Sequence, residues 1–242
     1  MENEIIDSDK HYKKYDGLWG ESLTQLKSRL VFQRKSHSIC LYCGMDAQTR
    51  EHCPPKCILK EPYPKNLKVI PACVDCNNYY SKHEKKFKKL VNALETGSED
   101  DNIHSDIITV RSNHTLPEYA KIVLTKVAIG HAVYQLSDGF GDMLDKKKIT
   151  IDFVIKNQAT EEIWNELNKP QEINIMPEIG SRESDIMFIV EGLLEENDNS
   201  PLCFVDWTDV QSGVYRYLAY VDNDGLSVKM IIRDVLYVKV SF

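Results

Sequence analysis

Between Glu21 and Lys35 the apolar residues Leu23, Leu26, Leu30 and Val31 fall at helical spacing, interleaved with Lys27, Arg29, Arg34 and Lys35. The pattern predicts an amphipathic helix, whose basic side reads as the solvated face of a packing helix or as a DNA-contacting one. Residues 1–18 show no sustained period and read as a loosely held arm. A second helix is signalled where Ser81 and Glu84 form a capping box ahead of Phe87, Leu90, Val91 and Leu94, and it ends near Gly97. Residues 98–106 are small and acidic, with Ile103 as their one apolar side chain, and mark a boundary. Pro117 then opens a long helix to Leu136, so apolar that much of its circumference must be buried. His131 on that helix reads as a core or interface histidine rather than a ligand.

Further on, period-two and continuous apolar runs predict strands at 149–155, 186–193, 201–207, 213–221, 226–232 and 235–242. A short helix is expected near Thr160 to Leu167 and a hairpin turn at Asp224-Gly225. Residues 137–142, SDGFGD, read as a turn closing the long helix. The fold class is α+β, with an antiparallel sheet in the second half.

Composition changes this picture in one respect. The net charge of −7 hides an asymmetry: residues 1–97 hold 17 Lys and Arg against 12 Asp and Glu, whereas residues 98–242 hold 13 against 25. A polyanion is attracted to the first part and repelled by the second, so nucleic acid is expected at the N-terminal region. Residues 1–97 are accordingly read as a basic N-terminal helix plus a metal-stabilised module, 98–106 as an acidic linker, and 107–242 as an acidic α+β companion domain for a protein partner or ligand. No apolar run approaches the roughly 18–20 residues of a membrane span. The polar, acidic start is not a signal peptide, and a cytoplasmic protein without membrane association is expected.

Six of the seven cysteines lie between residues 40 and 76, with Cys203 alone. Clustering of this kind fits a local metal site better than a disulfide framework. Cys40, Cys43, Cys73 and Cys76 form C-x2-C-x29-C-x2-C, two knuckles that can close four thiolates tetrahedrally around a structural Zn²⁺. Their span exceeds that of a plain zinc ribbon and houses Arg50-Glu51-His52. Cys53 and Cys57 offer a second spacing, C-x3-C, read as incidental small residues or as thiols that displace one of the outer pairs.

EHCPPK, the PACVDCNN knuckle and the following SKHE together resemble the HNH endonuclease family, over roughly residues 37–88. The resemblance implies a ββα-metal module that hydrolyses phosphodiester bonds of DNA. In it His52 is the general base, and Glu51 and Asn77 hold a catalytic Mg²⁺ or Mn²⁺, with His83 as a weaker further ligand. Asn66 corresponds to the family's second-strand asparagine, which orients the histidine. Lys56, Lys82 and Lys85 would meet phosphates. An imidazole of near-neutral pKa suits removal of a proton from water, and a hard oxygen-liganded cation suits the developing phosphate charge. In a regular strand Glu51 and His52 point to opposite pleats, so the family's geometry needs a distorted strand. Such modules also serve as effectors of phage defence or toxin-like systems. A second reading, motivated by the closing histidine falling one step late at His83, is a catalytically inactive zinc-stabilised module that binds nucleic acid or protein.

Overall fold

The computed structural model describes residues 25–26, 38–98, 102–135, 149–173, 187–189, 203–222 and 225–242. Its first elements are β1 (Ser38–Ile39) and β2 (Asp46–Ala47), antiparallel arms of a turn that carries Cys40 and Cys43. Gly44 adopts a φ of 72°, and its N–H donates to Cys40 O at 3.0 Å. This left-handed residue curls the backbone around the thiols. β3 (Thr49–Cys53) then pairs antiparallel with β4 (Lys68–Ala72), setting Glu51 opposite Ile70 and His52 opposite Val69.

α1 (Val74–Thr96) follows β4 directly. Cys73 is its N-cap, the sulfur accepting the Cys76 N–H at 3.4 Å, and Gly97 closes it with a φ of 69°. Ser81 and Glu84 therefore sit inside the helix and do not begin it. The second cysteine knuckle supplies the first turn, which a capping-box signal further along could not reveal.

α2 (His104–Ser112) occupies the end of the expected linker and everything just beyond it, burying Ile107 and Val110. α3 (Glu118–Gln135) matches the predicted long helix and is buried without interruption from Lys126 to Val133. β5 (Thr150–Ile155) and α4 (Glu161–Leu167), capped by Thr160, also fall where the pattern put them. A small sheet of β6 (Gln171–Ile173), β7 (Met187–Ile189) and β8 (Cys203–Val205) falls in sequence between β5 and the other strands of the main one. The latter is antiparallel in the order β5-β12-β11-β10-β9, with β9 (Thr208–Gln211), β10 (Tyr215–Asp222), β11 (Gly225–Ile232) and β12 (Leu236–Ser241). The fold is α+β.

One face of this sheet, through Tyr215, Tyr217, Val228, Met230 and Val238, joins a core that also contains Cys40, Ile70, Phe87 and most of the buried side of α3. The other face gathers Trp164, Trp207, Leu218 and Tyr220. The boundary expected at 98–106 thus separates charge but not packing. α3 lies between the β3 strand and the sheet, with α1 packed against it and β3, and residues on both sides of the boundary share one buried cluster.

Arg233 fastens the same join. It sits in the β11–β12 turn with a φ of 51°, is 7% exposed, and donates to the carbonyls of Cys57, Ile58 and Leu59 at 3.1, 3.0 and 3.2 Å. A rigid planar fork suits three convergent carbonyls. Of the predicted helix at 21–35 only Gln25 and Leu26 are described, Leu26 fully buried; the arm at 1–18, the turn at 137–142 and Asp224 lie outside the described residues. No helix among the described residues is long and apolar enough to cross a membrane.

Candidate metal centre and catalytic face

The four knuckle cysteines meet. One ligand atom from each of Cys40, Cys43, Cys73 and Cys76 lies within 4.8 Å of the others, and the Cys43 and Cys73 sulfurs are 3.6 Å apart. Four sulfurs on a tetrahedron about 2.3 Å from a Zn²⁺ are separated by just under about 3.8 Å, so the set fits that ion. Sulfurs so close do not all ionise unless a cation shares the charge. The Cys40 thiol is held down to about 5, chiefly by its hydrogen bond with Cys76, while burial pushes Cys43 up to about 11. Cys53 and Cys57 take no part: burial pushes each up to about 12, and neither joins the cluster.

β3 distributes its side chains by pleat. Thr49, Glu51 and Cys53 point to the helices: Thr49 Oγ1 accepts from Asn77 Nδ2 at 3.2 Å, Glu51 meets Lys126, and Cys53 Sγ lies 3.8 Å from His131 Nδ1. Arg50 and His52 alternate onto the opposite, outer pleat, Arg50 exposed and His52 half-buried. Burial, then the neighbouring Lys56, lowers the His52 pKa below the ordinary imidazole value. The ring is held neutral, the form that accepts a proton.

Glu51 and Asn77 do not make a hard-cation site as placed. Glu51 is 6% exposed, and Lys126 Nζ stands 2.8 Å from its Oε2 and 2.5 Å from Glu84 Oε1. The Glu51 contact is an ion pair outside hydrogen-bonding angles, as Oε2 has no hydrogen-bond partner. Burial by itself would lower the Lys126 pKa, but the two carboxylates outweigh it and raise it, so Lys126 is a cation. Burial raises the Glu51 pKa despite that partner. The rings of Tyr80 and Tyr42 line the ammonium at 4.6 and 5.9 Å from their centroids. A lysine thus engages the carboxylate that the family resemblance assigns to a divalent ion, and His52 lies on the opposite pleat because β3 is a regular strand.

Asn66 lies exposed in the turn ahead of β4 rather than on the strand. His83 stacks edge-on against Tyr79, with ring centroids 4.6 Å apart, and joins no cluster of metal-ligating acids, histidines or cysteines among the described residues. Lys82 and Lys85 are exposed on α1; Lys56 is exposed near His52, its Nζ 5.2 Å from the Tyr63 ring. The residues that sequence reasoning missed are Lys126, Gly130 and Tyr134 behind the hairpin, whereas His131 is buried in the core as its place on the apolar helix predicted. The signal for Lys126 was present: it is the one charged residue between Val123 and Ile129 on a helix that must be largely buried, and a buried lysine requires carboxylates nearby.

No family model, no curated protein and no solved structure matches the chain.

Proposed function

We propose that this chain is a zinc-stabilised nuclease of the HNH type, hydrolysing phosphodiester bonds in DNA with His52 as the general base. What supports the reading is a neutral histidine at the outer pleat of a two-stranded hairpin that runs into a cysteine-capped helix, flanked by Arg50 and Lys56. His52 would take a proton from water through its unprotonated ring nitrogen, and the two cations would hold the phosphate oxygens. Zinc in the four-thiolate site would fix the hairpin to the helix. The resemblance adds a catalytic Mg²⁺ or Mn²⁺ at Glu51 and Asn77; admitting one there would require Glu51 to exchange its Lys126 contact for the ion.

The test is nicking of supercoiled plasmid by purified protein, with Mg²⁺, with Mn²⁺ and with EDTA, beside His52→Ala purified identically. The variant should lose roughly 10²- to 10⁴-fold in rate. Equal nicking by both proteins would remove His52 from the chemistry.

The Glu51–Lys126 ion pair favours a second reading, a binding module without catalysis, because it occupies the carboxylate that the family's metal would use. DNA retention on gels by wild type and by His52→Ala alike, with no cleavage under any metal condition, would establish that reading instead.

A further inference from the structure

His52 has three covalent or cross-strand neighbours: Glu51, Cys53 and, across the hairpin, Val69. Each is gripped by a different side chain of α3. Lys126 Nζ lies 2.8 Å from Glu51 Oε2, His131 Nδ1 lies 3.8 Å from Cys53 Sγ, and Tyr134 OH donates to Val69 O. Lys126, Gly130 and Tyr134 recur every fourth residue and so form a single stripe on the helix. At Gly130 the approach is closest: an added Cβ would stand 2.6 Å from Cys53 Sγ and 2.8 Å from Ile70 Cδ1, the latter belonging to the partner of Glu51. Only glycine lets the helix come this near.

α3 is in turn backed by the sheet. His131 Nε2 lies 2.7 Å from Tyr215 OH, and the His131 ring stacks on Tyr217 with centroids 3.5 Å apart. A continuous line of contacts therefore runs from β10 through His131 to the residue after His52.

We infer that α3 is the positioning element of the His52 site, with Lys126, Gly130 and Tyr134 setting the place and tilt of the strand that presents the imidazole. The region after residue 107 is then part of the catalytic scaffold, whatever else it binds. This rests on the nuclease reading above for its kinetic consequence, but its geometric consequence can be read without any reaction. A helix that fixes both chain neighbours and the cross-strand neighbour of one residue controls that residue's orientation, and displacements of about 1 Å at a reacting group are worth up to about a hundredfold in rate.

The experiment uses the full chain with two substitutions of minimal size, Tyr134→Phe and Gly130→Ala. Three quantities are measured: thermal melting, the ¹H–¹³C cross-peaks of the His52 ring, assigned by their loss in His52→Gln, and kcat and KM for plasmid nicking. The expected result is a shift of the His52 cross-peaks in both variants, with kcat reduced roughly ten- to a hundredfold and KM within about twofold of wild type. Folded variants whose His52 cross-peaks stay in place overturn the inference, as packing alone would lower melting without moving that ring. If Gly130→Ala does not fold, Tyr134→Phe, which removes one oxygen, decides the matter. If wild type cuts nothing yet the cross-peaks shift, the nuclease reading falls and the positioning role stands.

Discussion

Substituting Lys126 by Met keeps most of the side-chain volume and removes the charge that Glu51 and Glu84 share. Glu51 is 6% exposed and Lys126 3%, so neither can turn to water when its partner is lost. Removing one member of a buried ion pair costs about 3–5 kcal/mol, because the other is left charged in a medium that solvates it poorly. For a chain of this length each kcal/mol corresponds to roughly 2–4 °C, giving a fall in melting temperature of roughly 6–20 °C at pH 7. The loss should depend on pH. Burial already raises the Glu51 pKa, and without Lys126 it rises further. In the folded variant the carboxyl then holds a proton that the unfolded chain has released, so stability falls as pH climbs from the ordinary carboxylate range to the raised value. Lys126→Met should therefore be closer to wild type at pH 5 than at pH 8 in differential scanning calorimetry. Glu51→Gln added to it should recover part of the loss. A variant that melts within 2 °C of wild type at pH 8, or a double variant no better than the single, would show that the lysine is not an obligatory counter-ion.

Three further outcomes follow from the geometry. Arg233→Ala should cost at least about 3 kcal/mol in urea unfolding, since it strips a charged donor from three buried carbonyls, and Arg233→Lys should not restore it because an ammonium lacks the planar fork. Cys73→Ser should abolish retention of zinc by the four-cysteine cluster in native mass spectrometry and reduce helical circular dichroism, because the residue that would ligate the ion also caps α1. On the proposed nuclease reading, nicking should persist below the ordinary imidazole pKa of about 6.5 and decline only at lower pH, since the depressed His52 pKa keeps the ring unprotonated there. A rate that already falls away at about pH 7 would contradict that environment.

The four-cysteine cluster was legible because a C-x2-C spacing constrains backbone and chemistry together, whatever surrounds it. The long helix and the strands from residue 215 onward were legible for a similar reason: their apolar periods run over many residues. What could not be read was pairing across distance. The resemblance assigns Glu51 to a cation, and nothing in the residues beside it announces that a lysine 75 positions later meets its carboxylate. The resemblance put Asn66, the first residue of NLKVIP, on the second strand, but pairing begins only at Lys68. The linker at 98–106 was inferred from charge, and charge reports the solvent side of a chain. Ile103, Ile107 and Val110, which bury α2 in the shared core, carry none.

The Arg233 fork has a consequence in time as well as in space. Its guanidinium binds the carbonyl of Ile58, 175 positions earlier in the chain, and α3 grips β3 from 74 to 78 residues downstream. During synthesis the cysteine knuckles and His52 leave the ribosome long before the elements that hold them in place. The cysteine hairpin alone therefore lacks its packing partners, and the surroundings of His52 are completed only when the β11–β12 turn has emerged and docked.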